Sequence, residues 1–170
     1  MRGGRPPSHP GWRSALLRAS LASWLCGSDP APAAITLTND ISSVSMSFLA
    51  ADYNGASGAA TVTSVTAHTL AVHSTKKNWT LSVRALSATF SFTPTLGDAN
   101  PNKPASDLAA RAPTETNVFI PLTTSNQVIG TGAKSSQNVD VPIDYRLQSS
   151  LLNDPPGSYS ISIIYTAVEN

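Results

Sequence analysis

The chain has 170 residues, a formal net charge of +1 and only 12% charged residues, about half of the roughly 25% that soluble domains usually carry. Four of the eleven basic residues fall in the first eighteen positions, and from Ala34 onward seven basic residues stand against nine acidic ones. That part has no basic field for nucleic acid or an anionic membrane, so neither is expected as a partner. The length indicates one domain that can bury a core without disulfides.

Residues 1–33 have the order of a secretory leader. Arginines come first, an apolar run follows, and small residues then form an A-x-A site, which places cleavage between Ala33 and Ala34. The apolar run is too short to span a bilayer as a helix. We therefore predict a secreted, cell-surface mature chain, residues 34–170, with no transmembrane segment. The alternative is an N-terminal extension that stays on the protein.

Patterns typical of β-strands occupy the first half of the mature chain. The strands expected there are an interrupted one at 35–48, a long one at 61–73 and shorter ones at 79–85 and 90–94. In the long strand Val62 and Leu70 share one face by parity, while Val65 falls on the other. Side chains alternate between the two faces of a strand, so this change of face predicts a bulge or a break near the middle.

Residues 95–116 form a long connection rich in proline and glycine. Such a length is uncommon in a compact domain unless the segment has structure or function of its own. Asp107–Arg111 is expected to form one or two helical turns, with Ser106 or Asp107 as the cap. Short strands are expected at 118–122 and 127–129.

The clearest strand pattern lies at the C-terminus. Apolar residues alternate with polar ones over 139–147 and again over 159–167. Between the two arms, 153–157 contains the proline and glycine residues that reverse a chain, so the arms are expected to pair as a long hairpin. The apolar face of this hairpin needs a second sheet to cover it. The pattern as a whole predicts an all-β, antiparallel, immunoglobulin-like β-sandwich of seven to nine strands with at most one short helical turn.

No residue pattern reaches a catalytic or cofactor motif, so we expect no enzymatic activity and no cofactor. His68 and His73 lie an odd number of residues apart in one strand and face opposite sides, which argues against joint metal ligation. Asp140 and Asp144 share a face, but their backbones are roughly 13 Å apart, beyond the carboxylate spacing of glycosidases. They are expected to be solubilising residues, with Arg146 beside Asp144.

A calcium site is the single metal candidate in the sequence. Asp98, Asn100 and Asn102 have the D-x-N-x-N spacing that opens a calcium loop. Lys103 stands where a glycine should follow, and Ala109 stands where the bidentate glutamate is required. The set is therefore an incomplete calcium motif.

One resemblance to a known family can be read from the chain. Trp79 and Leu81 form a W-x-L triplet in a strand, and the last strand carries Tyr159, Tyr165 and Ala167. This is similar to the bacterial WxL-type surface domain, whose distal Y-x-x-x-[IV]-x-W-x-L motif ends a β-rich domain of comparable size. Here Tyr165 and Ala167 stand for the Trp and Leu of that motif. Secreted pilin-like and coat-protein-like sandwiches end in similar tyrosine-rich strands. The resemblance implies export and surface placement.

Two functions follow from these patterns. The first is a non-enzymatic structural or adhesion subunit that self-assembles into a filament, matrix or coat, with 35–48 added to a neighbour's sheet. The alternative is a module that binds peptidoglycan non-covalently through Trp79, Leu81, Tyr159 and Tyr165. A core role for Trp79 competes with the second function, because an aromatic residue alternating with leucine and valine often packs inside. A carbohydrate-active enzyme ranks third.

Overall fold

The computed structural model describes residues 35–40 and 43–170, so the leader at 1–33 and its cleavage site between Ala33 and Ala34 lie outside it. The strands are β1 (Thr36–Asn39), β2 (Ala59–His73), β3 (Trp79–Ala85), β4 (Ser91–Pro94), β5 (Leu108–Arg111), β6 (Ile120–Pro121), β7 (Gln127–Gly132), β8 (Val139–Ser150), β9 (Gly157–Ser160) and β10 (Ile163–Glu169). All their pairings are antiparallel, which confirms the all-β, antiparallel prediction, although the described residues form ten strands where the sequence predicted seven to nine.

Helix in these residues is limited to two 3-10 turns, Ala50–Asp52 and Ala105–Asp107. The sequence predicted at most one such turn. Among the helices of the described ranges, none has the length and apolar character needed to cross a bilayer.

The strands form two main sheets. One has five strands in the order β1-β2-β8-β5-β6, and the other has three in the order β10-β3-β7. The short pair β4–β9 continues the pair β3–β10: Ala85 lies opposite Ile163, and beyond an irregular stretch Ser91 lies opposite Ser160. The second sheet is thus built around one long, interrupted antiparallel pair.

The hydrophobic core of the described residues lies between the two main sheets. Leu70 and Ile143 enter it from the five-stranded sheet, while Trp79 and Leu81 enter it from β3. All four are at most 1% exposed. Two sheets that bury alternate side chains against each other in this way form a sandwich-like fold.

The two C-terminal arms are strands, but the predicted hairpin between them is wrong. β8 pairs with β2 and β5, whereas β10 pairs with β3, so the chain crosses between sheets at 151–156. Tyr145 and Tyr165, one from each arm, meet through their hydroxyl groups across the core. Alternation shows that each arm has a buried face, but it does not say whether that face packs beside the other arm or opposite it.

The bulge predicted in the long strand is present. Between the pairs Ser64–Tyr145 and His68–Ile143, three residues of β2 are set against Asp144 alone. The bulge adds two residues and so keeps the parity: even-numbered residues face the core on both sides of it, as Ala60 does before it and Leu70 after it. Val65, the apolar residue of opposite parity, lies within the bulge and is 70% exposed, so its position indicated the bulge and not a second buried face.

The helical turns expected at Asp107–Arg111 are wrong. The turn ends at Asp107, and Leu108–Arg111 form β5, which lies between β8 and β6. The alanines of this segment favour a helix locally. Strand partners on both sides satisfy its backbone groups and bury three of its four residues, which outweighs that preference.

Only the first part of the strand expected at 35–48 joins a sheet. β1 pairs with the end of β2, with Leu37 opposite Val72. Residues 43–49 belong to no ladder, although they alternate between exposed and half-buried. Two of them, Val44 and Met46, pack against the core, and the ring centroid of Phe48 lies 5.7 Å from that of Tyr53. The segment therefore has the burial pattern of a strand without strand hydrogen bonds.

Candidate functional site

The three-stranded sheet leaves β10 as an edge strand. Two hydrogen bonds outside the strand ladder define which of its backbone groups are paired: Asn170 N–H donates to Asn78 O, and Leu86 N–H donates to Ser162 O. Both belong to the β3–β10 register, so even-numbered residues of β10 exchange hydrogen bonds with β3. The backbone groups of the odd-numbered residues 163–169 consequently point to the open edge.

The sequence of this open edge lacks the residues that usually prevent strand addition. The sequence of β10 has no proline, glycine or lysine, and its one charged residue, Glu169, is the last. The odd-numbered side chains Ile163, Tyr165 and Ala167 pack on the core, while Val168 on the other face is 47% exposed. The arrangement can accept an added strand through main-chain hydrogen bonds.

A hydrogen-bonded cluster of His68, Tyr145 and Tyr165 joins the two sheets beside this edge. Nε2 of His68 lies 3.1 Å from each phenolic oxygen, and the two hydroxyl groups hydrogen-bond to each other. Nδ1 lies 2.8 Å from Oδ1 of Asn39. With that amide oxygen as the acceptor, Nδ1 donates its proton and Nε2 of the neutral ring accepts.

Burial sets the protonation states of the cluster. It lowers the pKa of His68, an effect that Asp40 opposes. It raises the pKa of Tyr145 to about 12. The pKa of Tyr165 is raised further by burial and by Tyr145. All three groups are thus neutral near neutral pH, and together they link β2, β8 and β10. The sequence placed His68 and His73 on opposite faces of one strand, and in the structure the side chain of His68 is buried.

Acid should therefore weaken the fold through His68. Its folded pKa lies below the unfolded value of about 6.5, so the unfolded state binds more protons as the pH falls. The stability contributed by the neutral ring is present above about pH 6.5 and is lost below it. Urea midpoints at several pH values should fall on acidification, and His68→Gln should flatten this slope. His73→Gln is the matched control, and an equal flattening by both variants would contradict the assignment.

Asp144 is fully buried and holds the bulge of β2. Its Oδ1 accepts the Thr66 N–H at 2.7 Å, and its Oδ2 accepts Nε and Nη2 of Arg111, both at 2.8 Å. Thr66 has φ of 47°, in the left-handed region that is unfavourable for threonine. The solubilising role predicted for Asp144 is wrong, and its partner is Arg111, not Arg146. As its parity in β8 indicates, Asp144 lies on the face of the sheet that points away from the core, but the bulge of β2 covers it there.

The residues of the WxL resemblance do not gather into an exposed surface. Trp79 is 1% exposed and Leu81 is fully buried, so neither is a surface residue in the folded chain. Tyr165 is half-buried and its hydroxyl belongs to the cluster with His68. Tyr159 is also half-buried, with its ring centroid 4.8 Å from that of Phe92. Period-two alternation located these side chains correctly on one face, and that face is the core.

The calcium candidates lie in an exposed loop. Asn102 donates its N–H to Oδ1 of Asn100 at 2.9 Å and has φ of 54°. This hydrogen bond engages one of the three oxygens that Asp98, Asn100 and Asn102 would supply. Within the residues described, no group of three or more His, Cys, Asp or Glu side chains could hold a metal ion.

The burial of Lys103 was not predicted from the sequence. Lys103 is 3% exposed. Its Nζ lies 2.7 Å from Oδ2 of Asp107, 2.6 Å from Oδ2 of Asp154 and 2.7 Å from the backbone oxygen of Gln148. The i,i+4 spacing to Asp107 was a readable signal. Asp154 lies far along the chain and only the fold brings it near.

No protein-family model matches this chain, and no curated protein matches it significantly. The resemblance to WxL-type domains therefore stays a prediction.

Proposed function

We propose that the mature chain is a secreted, non-enzymatic structural subunit of the cell surface that assembles with copies of itself by strand addition. The observation that carries this proposal is the open edge of β10, with its outward-pointing odd-numbered backbone groups and no guarding residue. An immunoglobulin-like arrangement is part of the proposal. Two antiparallel sheets on one core support it, and an added strand would extend the smaller sheet.

Residues 43–49 supply a suitable donor. Their side chains alternate between exposed and half-buried, as in a strand, but their backbone forms no ladder. Pairing that backbone with a sheet edge would give its N–H and C=O groups partners. Strand addition combines such main-chain hydrogen bonds with pockets for alternate side chains, here Val44, Met46 and Phe48. The acceptor is the β10 edge of a second copy.

Export rests on sequence. Residues 1–33 have the order of a cleavable leader with a site between Ala33 and Ala34, and the mature chain has few charges and no cysteine. A low-charge, cysteine-free β-domain is suited to an assembly outside the cell that folds without disulfides. The expected partners are other copies of the chain.

Hydrogen exchange of the mature protein tests the assembly. In the monomer, the amides of Ile164, Thr166 and Val168 should be protected because they bond to β3. The amides of Tyr165 and Ala167 should exchange freely. In the assembled protein the odd-numbered amides should become protected, by about a hundredfold or more if opening then requires local unfolding of about 2.7 kcal/mol.

Ala167→Pro provides the matched variant, because it removes one N–H from the open edge and none from the β3 pair. It should reduce assembly in sedimentation velocity, whereas Val128→Lys on β7, the opposite edge of the same sheet, should not. A protein that stays monomeric at all concentrations would overturn the proposal. If the monomer pellets with purified peptidoglycan, the wall-binding alternative replaces it.

A further inference from the structure

The Lys103 cluster combines a buried amine with two carboxyl groups. The exposed fractions of the three side chains are 2% for Lys103, 8% for Asp154 and 29% for Asp107. One cation and two carboxylates carry a formal charge of −1 in a site with little access to water. Removing charges from water is costly even when they are paired. A reaction that eliminates one cation and one anion would therefore relieve the most buried pair, Lys103 and Asp154.

Asp154 is held as an acceptor for attack by an amine. Its Oδ2 accepts the Lys103 amine at 2.6 Å, the Ser149 hydroxyl at 3.0 Å and the Ser150 N–H at 3.0 Å. The Ser149 and Ser150 donors stay on this oxygen when the amine adds to the carbonyl carbon, and they stabilise the negative charge that develops there. The other oxygen, Oδ1, has no hydrogen-bond partner in the described part of the chain and is free to depart.

We propose that Lys103 and Asp154 condense after folding into an intramolecular amide bond, with Asp107 as the proton carrier. The carboxylate of Asp107 takes one proton from the Lys103 ammonium group. The nitrogen lone pair then adds to Cγ of Asp154, and the Cγ–Oδ1 bond breaks. Oδ1 leaves as water with the proton from Asp107 and a second proton from the nitrogen. One N–H stays on the amide, and Asp107 returns to its carboxylate form.

The fold supplies what the reaction needs. Contact between amine and carboxyl replaces a bimolecular encounter, and effective molarities in well-oriented intramolecular reactions reach about 10⁵–10⁸ M. Lys103 and Asp154 also line a cavity of about 460 Å³ through which the released water can leave. The ring of Tyr159 lies on another side of the amine, 6.0 Å from Nζ to the centroid.

The bond would tie the connection before β5 to the connection after β8. It would close a covalent loop around β5, β6, β7 and β8. A cross-link of this kind stabilises by restricting the unfolded chain. It would also prevent the residues between 103 and 154 from extending when the chain is pulled from its ends.

Mass spectrometry of the denatured wild-type protein decides the matter. The intact chain should be lighter than its sequence by one water molecule. Trypsin should release residues 85–111 joined to residues 147–170, because Lys103 precedes a proline and no basic residue follows Arg146. A full-mass wild-type protein, or the two peptides recovered separately, would overturn the proposal, and neither measurement depends on a variant that folds.

Three variants separate the roles of the groups. Lys103→Arg keeps the charge but should give a full-mass protein. Asp154→Asn should still form the bond, losing ammonia instead of water. Asp107→Asn should slow the appearance of the lighter species by about a hundredfold or more, as removal of a general base does. Equal rates in Asp107→Asn and wild type would refute the part assigned to Asp107.

Discussion

Trp79→Ala is expected to lower the free energy of unfolding by about 3 to 5 kcal/mol, because it leaves a large cavity between the sheets. The ring is 1% exposed and lies directly against Gly132: a Cβ at position 132 would be 2.1 Å from its Cζ2. Gly132→Ala should therefore also destabilise the fold, by overpacking the same contact. Urea midpoints of the mature protein measure both effects.

Trp79→Phe is the matched control. The indole Nε1 is buried without a hydrogen-bond partner. An unsatisfied buried donor costs about 1 to 3 kcal/mol. Phenylalanine removes that donor and keeps much of the ring, so its destabilisation should be well below that of alanine. If Trp79→Ala lowers the free energy of unfolding by less than about 1 kcal/mol, the ring is not a core anchor. The prediction that Trp79 belongs to a binding surface would then be favoured.

Asp144→Ala should lower the free energy of unfolding by about 3 kcal/mol, near the lower end for a broken buried ion pair, because Arg111 retains some access to water. The substitution removes the acceptor of the Thr66 N–H, a hydrogen bond made by a residue whose φ is positive. It also leaves Arg111 without its carboxylate. Urea titrations give the change in stability, and hydrogen exchange at Thr66 reports the bulge directly.

Asp140→Ala is the control for that experiment. Asp140 lies on the same strand and the same face as Asp144 but is exposed, so its removal should change stability by no more than about 0.5 kcal/mol. Similar losses from both substitutions would mean that Asp144 acts only through the general charge of the face. A loss confined to Asp144 would establish the specific role of the bulge contact.

Local patterns in the sequence were enough to locate the strands in which apolar and polar residues alternate strongly. The strand at Trp79–Ala85 has the predicted bounds, and the bulge in β2 followed from the parity of Val62, Val65 and Leu70. Alternation is reliable there because each side chain contacts either the core or the solvent. The same pattern located Tyr165 and Trp79 on buried faces, and so indicated the core without showing which faces meet.

Tertiary structure decided the pairing of strands and the fate of charged residues. β8 and β10 lie in different sheets, and their alternation is the same as it would be in a hairpin. β5 became a strand because two neighbours complete its hydrogen bonds. Asp144 and Lys103 are buried because segments distant in the sequence cover them. Thr66 donates its N–H to Asp144, and Asp154 accepts a hydrogen bond from Lys103. Contacts between residues far apart in the chain set these outcomes, and a window of neighbouring residues holds no information about them.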